Sequence, residues 1–186
     1  MIDLTLPRCF GSSSELYARY HDEEWGVPVR DERTLFEMLI LEGAHAGLSW
    51  ETVLRKREGY RARFHGFDVE RVAAMGDADL EEALLDPGIV RHRRKVWSAR
   101  ANARAVIAMG GLSDWLWSHV EAPIDTAWES REAVPAVTPM ARDMSRELKR
   151  RGLSFVGPTI VYAYLQAVGV VHDHWAGCHV RRGEGR

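Results

Sequence analysis

An all-α fold is what this sequence predicts, and three observations carry the prediction. Apolar residues recur at helical offsets, at Leu35, Phe36, Leu39 and Ile40, then Val53 and Leu54, then Val69, Val72 and Ala73. Alternating apolar and polar runs of the strand type are lacking. Residues that favour helix starts and stops flank the apolar segments. Asp31 stands where an N-cap would open the first segment, and Gly43 where a helix would stop. Ser49 opens the second, Asp68 opens the third with Gly76 as its stop, and Asp77 opens a fourth that ends before Gly88. Residues 140–151 and 158–168 read as two more helices, joined by the turn Gly152-Leu153-Ser154-Phe155-Val156-Gly157, with Pro158 suited to a first helical turn. Glycines in that turn would let backbone N–H groups approach a phosphate, and the helix N-terminus that follows favours an anion. An ordinary helix connector is the plainer reading of the same turn. Of the seven tryptophans, Trp97, Trp115 and Trp117 are assigned to the core.

At 186 residues and 46% hydrophobic, the chain can bury one good core, so a single domain over residues 1–186 is expected. No apolar run approaches the roughly 20 residues that cross a bilayer, and the N-terminus lacks the form of a signal peptide. A cytoplasmic protein with no membrane partner is expected. Two cysteines argue against a disulfide framework. The net charge of -2 means that nucleic-acid binding would need segregated charge. Arg91-His92-Arg93-Arg94-Lys95 and Lys149-Arg150-Arg151 form the candidate basic face, while acids gather at Asp22-Glu23-Glu24 and Glu81-Glu82. Solvated helix faces of mixed charge are the alternative reading of those runs.

The cysteines carry more information than their number suggests. Cys9 is followed by His21, and His174 is followed four residues later by Cys178, a spacing that shares one helical face or one tight turn. Four nitrogen and sulfur ligands would close a tetrahedral Zn2+ site; two unrelated buried thiols and two ordinary histidines would give the same spacing. The surrounding residues are more specific. Tyr20-His21-Asp22-Glu23-Glu24-Trp25-Gly26 is followed by Glu42-Gly43-Ala44-His45-Ala46-Gly47-Leu48-Ser49-Trp50, then by Gly88-Ile89-Val90-Arg91-His92-Arg93, Lys149-Arg150-Arg151-Gly152, and Asp173-His174-Trp175-Ala176-Gly177-Cys178. In that order, from Cys9 to Arg181, the chain resembles the DNA-3-methyladenine glycosylase I family.

The resemblance implies a compact helix-hairpin-helix DNA glycosylase, with the 140–168 segment as the hairpin. It also implies one structural zinc joining the two ends of the chain through Cys9, His21, His174 and Cys178. The substrate implied is double-stranded alkylated DNA, from which 3-methyladenine would be flipped out and hydrolysed off, leaving an abasic site. Reading a flipped base takes stacking faces and an edge-on hydrogen-bonding group. Tyr17 and Tyr20 share a helix face, Trp50 offers a broad π surface, and Glu42 offers an acceptor that favours positive charge. Methylation at N3 makes the base cationic and its glycosidic bond labile, so recognition carries the reaction and Glu42 is the expected catalytic and selecting carboxylate. Leu48, after Gly47, is the apolar candidate to fill the gap left in the duplex; a buried core leucine is its other reading.

Asp173 is the aspartate nearest the position from which many helix-hairpin-helix glycosylases stabilise the sugar cation, but its place between His172 and His174 leaves that role unassigned. The family commonly has a tryptophan two residues after the first zinc cysteine; here the segment reads Phe10-Gly11-Ser12-Ser13-Ser14, a departure that bears on one aromatic neighbour of the pocket and not on the zinc. No lysine stands at an evident nucleophile position after the hairpin, so strand cleavage through a Schiff base is not expected. A zinc hydrolase is disfavoured, because four protein ligands leave no open position and neither His-Glu-x-x-His nor a deaminase signature occurs. A non-catalytic module that binds alkylation damage is the remaining alternative. The protein is expected to act as a monomer.

Overall fold

The computed structural model describes residues 2–11 and 13–183, and Ser12 lies outside the described residues. Eleven α-helices occur among them, with one parallel strand pair of two residues each, Ile124–Asp125 against Val171–His172. Helix α1 (Glu15–Glu23) opens at Ser14, whose hydroxyl accepts the Tyr17 N–H. Helix α2 (Glu32–His45) opens at Asp31, which accepts from Thr34, and it buries every residue from Leu35 to Ala44. A helix buried on all sides is the centre of the molecule rather than part of its shell.

Around α2 stand α3 (Trp50–Leu54), α4 (Arg57–Arg63), α5 (Val69–Ala74), α6 (Asp77–Leu85) and the long α7 (Arg93–Ala108). The Ser49 and Asp68 side chains cap α3 and α5 as the sequence predicts. Two expectations need correction. Asp77 is not a cap: Gly76 is, and its N–H donates to the Asp79 carboxylate at 2.7 Å. Gly43 does not stop α2, which continues to His45. It is a glycine because a Cβ there would lie 3.1 Å from Phe155 Cβ, so the hairpin turn packs directly on the helix backbone.

After α8 (Ser113–Trp117), the helices α9 (Pro139–Arg150) and α10 (Pro158–Ala167) form the expected helix, turn, helix unit, and α11 (His179–Arg182) ends the described chain. The turn bends at Gly152 (φ +92°) and again at Phe155 (φ +56°), a left-handed conformation that a bulky side chain rarely adopts. Two side chains outside the turn hold it. Buried Asn102 on α7 accepts from Ser154 N at 2.9 Å and donates to Ser154 O at 3.0 Å, and Ser145 donates to Val156 O at 2.6 Å. Trp115 and Trp117 lie in the core, but Trp97 is only partly buried, with the Arg93 guanidinium 4.1 Å above its ring. No helix among the described residues is long and apolar enough to cross a membrane.

Candidate base pocket and metal centre

Three helices bring the proposed pocket residues together. α2 presents Glu42 from its last turn, α1 presents Tyr17 and Tyr20 three residues apart, and α3 opens with Trp50 directly after its Ser49 cap. Tyr20 and Trp50 meet at 5.3 Å between ring centroids. Phe10 stacks on Tyr17 at 4.8 Å and meets Trp25 edge-on at 5.2 Å, so an aromatic ring does follow Cys9, one position earlier than the resemblance called for.

The electrostatics of this group are unusual for a protein interior. Glu42 is 3% exposed, and burial raises its pKa; the opposing effect is a hydrogen bond and charge attraction from His45, whose Nδ1 lies 3.3 Å from Glu42 Oε2. Burial, followed by the charges of Glu51 and Glu42, pushes the Tyr17 phenol up to about 12, and burial with Glu42 drives Tyr20 well above its ordinary value. Both phenols therefore stay protonated and able to donate. The buried Trp50 Nε1 has no hydrogen-bond partner among the described residues. A buried polar group left unpaired costs free energy.

Leu48 is 41% exposed, outside the core, on the turn that follows Gly47 (φ +79°). Lys95, placed by its sequence in the basic face, is half-buried instead: its Nζ donates to Ala44 O at 2.8 Å and Ala46 O at 2.6 Å. It closes the last turn of α2 between Glu42 and Leu48, where a cation suits the helix C-terminus. Arg93 is likewise diverted into an ion pair with Glu81, so the acidic and basic runs are not segregated there. Arg91 and Arg94 on one segment, and Lys149 and Arg150 on α9, are exposed and without an ion pair among the described residues. Arg94 shares a cavity of about 370 Å³ with Trp97, Arg100, Arg104 and the hairpin residues Ser154 and Phe155.

At the other side of α1, Cys9, His21, His174 and Cys178 converge, with their ligand atoms all within 4.8 Å of one another. The nitrogen to sulfur separations are 3.5 Å from Cys9 to His174 Nδ1, 3.4 Å from His174 Nδ1 to Cys178 and 3.5 Å from Cys178 to His21 Nε2. Bond lengths to zinc of about 2.3 Å for sulfur and about 2.0 Å for nitrogen give nitrogen to sulfur edges of about 3.5 Å in a tetrahedron, so the donor set fits that ion. Both histidines have their other nitrogen occupied. His21 Nδ1 donates to Asp22 at 2.8 Å and His174 Nε2 to Trp25 O at 3.1 Å, so that the lone pair of His174 faces both sulfurs, while that of His21 accepts the Cys9 backbone N–H at 3.1 Å beside the Cys178 sulfur. Asp22 is itself held by Arg8 at 2.8 and 2.7 Å and by His179 at 2.8 Å. Burial pushes its carboxyl up, but the hydrogen bonds from Arg8, His21 and His179 bring it down to about 2.

Asp173 lines a cavity of about 250 Å³ with Phe10, Trp25 and Gln166. Its carboxylate is 1% exposed and accepts four hydrogen bonds, from Thr126 at 2.7 Å, Trp128 at 2.8 Å, Gln166 at 2.7 Å and the Tyr162 hydroxyl. Four donors saturate it, so it anchors the segment that carries His174 to α10.

The helical fold is that of solved DNA base glycosylases. A crystal structure of 3-methyladenine DNA glycosylase I matches with a TM-score of 0.89 and 49% identity, over 92% of this chain and 98% of that one. A tyrosine-to-phenylalanine variant of 3-methyladenine DNA glycosylase I, in complex with 3-methyladenine, matches with a TM-score of 0.87 and 35% identity, over 90% of this chain and 93% of that one. DNA-3-methyladenine glycosylase 1 of Escherichia coli (strain K12) is 47% identical over 179 residues, 93% of this chain and 96% of that protein. The profile of the methyladenine glycosylase family matches residues 10–182, and the chain belongs to that family.

Proposed function

We propose that this protein is a base-excision glycosylase that takes 3-methyladenine out of alkylated double-stranded DNA and hydrolyses its N-glycosyl bond, leaving an abasic site. The observation that carries the reading is Glu42: a buried carboxylate with one 3.3 Å partner, set among Tyr17, Tyr20 and Trp50. A neutral purine would gain little from such a group. The cation of an N3-methylated adenine gains a countercharge in low dielectric and an acceptor for its exocyclic amino group, while Trp50 and the tyrosines cover its faces. Because the alkylated base is already a good leaving group, holding it with its charge compensated lets water attack C1′ of an oxocarbenium-like sugar.

Leu48 is suited to fill the vacated stack, and the unpaired cations Arg91, Arg94, Lys149 and Arg150 border the hairpin turn that would hold phosphates. α10 begins at Gly157 without a side-chain cap, which leaves its first N–H groups open to an anion in the manner of a helix-hairpin-helix. The Cys9, His21, His174 and Cys178 cluster is assigned to zinc on its donor chemistry and spacing, and four protein ligands leave no position for substrate, so its role is to tie the chain's ends. We place the protein in the cytoplasm as a single-domain monomer; two free thiols committed to a metal suit a reducing compartment. Incubating the purified protein with methylated duplex DNA and identifying the freed bases by chromatography tests the function. Release of 3-methyladenine supports it, and tight lesion binding without release would leave a damage-binding module instead.

A further inference from the structure

His45 is the one ion-pair partner of Glu42 among the described residues. Its Nδ1 lies 3.3 Å from Oε2, its ring meets Trp50 edge-on at 5.6 Å, and its side chain is 29% exposed where that of Glu42 is 4% exposed. His45 thus stands between the buried carboxylate and solvent, against the same ring that would stack on the base. We propose that His45 sets the charge that Glu42 offers to the lesion. When neutral, it leaves the carboxylate's charge for the cationic base; when protonated, it occupies that charge itself. This inference rests on the reading of Glu42 as the carboxylate that takes the alkylated base.

The lesion and a proton on His45 exclude each other. An N3-methylated adenine in DNA carries a fixed positive charge that does not titrate, and Glu42 can neutralise one cation. Two cations a few ångströms apart in a buried site repel each other, so the lesion and the His45 proton compete for Glu42. Binding of one therefore releases the other. The other titratable or charged groups around the pair do not substitute for it. Tyr17 and Tyr20 on α1 stay neutral, the Glu51 carboxylate at the start of α3 is held by Ser13, Ser14 and Arg55, and the Lys95 ammonium on α7 is committed to Ala44 O and Ala46 O. His92 reaches this region only across Phe155, edge-on at 6.3 Å.

Histidines titrate between about pH 5 and 8, so the consequence is measurable. The test is single-turnover release of 3-methyladenine from methylated duplex DNA between pH 5 and 8.5, with the half-saturating protein concentration and the maximal rate extracted separately. In the wild-type protein the half-saturating concentration should fall with rising pH, by up to about tenfold per unit below the midpoint, and level off above it. His45→Gln keeps a hydrogen bond to Glu42 but cannot hold the proton, so the midpoint should drop by a unit or more and binding at low pH should improve. His45→Lys supplies a permanent cation and should bind the lesion weakly at every pH.

A midpoint that stays or rises in His45→Gln would place the proton on Glu42 instead and overturn the proposal. So would a flat wild-type profile, or His45→Lys matching wild type at high pH. His45→Ser, which makes no long side chain to misplace, serves as the check on His45→Gln and should show the same downward shift. Binding of undamaged duplex, measured alongside, should not follow these changes. If the wild-type protein releases no base at any pH, the reading of the pocket itself fails, an outcome distinct from release with an unaltered profile.

Discussion

Two buried carboxylates in this molecule behave in opposite ways. Asp173 and Glu42 are 1% and 3% exposed, yet Asp173 collects four hydrogen bonds while Glu42 has a single 3.3 Å contact. A saturated buried acid adds to the fold, because its desolvation is repaid by donors already in place. An unsaturated one costs the fold, and it persists where a ligand completes it. The same contrast separates the metal corner, whose histidines and Asp22 are all partnered, from the aromatic pocket, where Trp50 Nε1 is unpaired. One region has its polar groups satisfied, and the other does not.

The contrast can be broken most directly at the metal corner. On the assignment of the cluster to zinc, Cys178→Ala should lose the metal and lower stability by several kcal/mol, because ligands drawn from distant parts of the chain couple metal binding to folding. Elemental analysis and thermal melts check it; a variant that melts like wild type without metal would contradict it. Asp173→Asn exchanges an acceptor-only group for a mixed one among four donors and should cost about 3 kcal/mol, or roughly 6–12 °C for a chain of this size. Its excision rate per folded molecule should stay close to wild type. A selective loss of excision with an unchanged melt would instead give Asp173 a part in the chemistry.

Trp50→Ala removes stacking worth about 1–3 kcal/mol per base, so excision should fall by about 5- to 150-fold. Free-base titration should show the same loss. Leu48→Ala should have the smallest effect on the fold, within about 0.5 kcal/mol, because the side chain lies outside the core. It should weaken binding to abasic duplex; a large fall in melting temperature would show that Leu48 packs more tightly than its exposure indicates.

Much of this contrast was hidden in the sequence, and the reasons are physical. Local signals were legible: the Asp31, Ser49 and Asp68 caps act within three residues, and the hairpin is written in Gly152, Gly157 and Pro158. Gly43 misled because a glycine required by a neighbouring chain looks, in one dimension, like a helix stop. Lys95 and Arg93 misled because a run of basic residues shows charge but not direction: one turns to helix carbonyls and the other to Glu81. Trp97 packs against the core but keeps one face under Arg93, so it is only partly buried.

Residues that act across long sequence gaps left no local trace. Asn102 braces a turn 52 positions away, and His179 and Arg8 converge on Asp22 from opposite ends of the chain. Phe10 and His45 were a different case. Each stood inside a motif already quoted, and three-residue spacing from Glu42 on a helix was signal enough to bring His45 forward.

Glu42→Gln tests the central claim most directly, with melting and excision measured on the same preparation. Burial raises the folded-state pKa of Glu42, so ionising it costs stability that appears as pH rises above the unfolded value of about 4.3 and is complete above the folded one. The account predicts that at pH 7 the variant melts no lower than wild type, with any gain gone below about pH 4, while release of 3-methyladenine falls at least about tenfold for a lost charge-assisted contact. Excision at the wild-type rate, or a loss of stability like that expected for Asp173→Asn, would show that Glu42 belongs to the scaffold and not to the base.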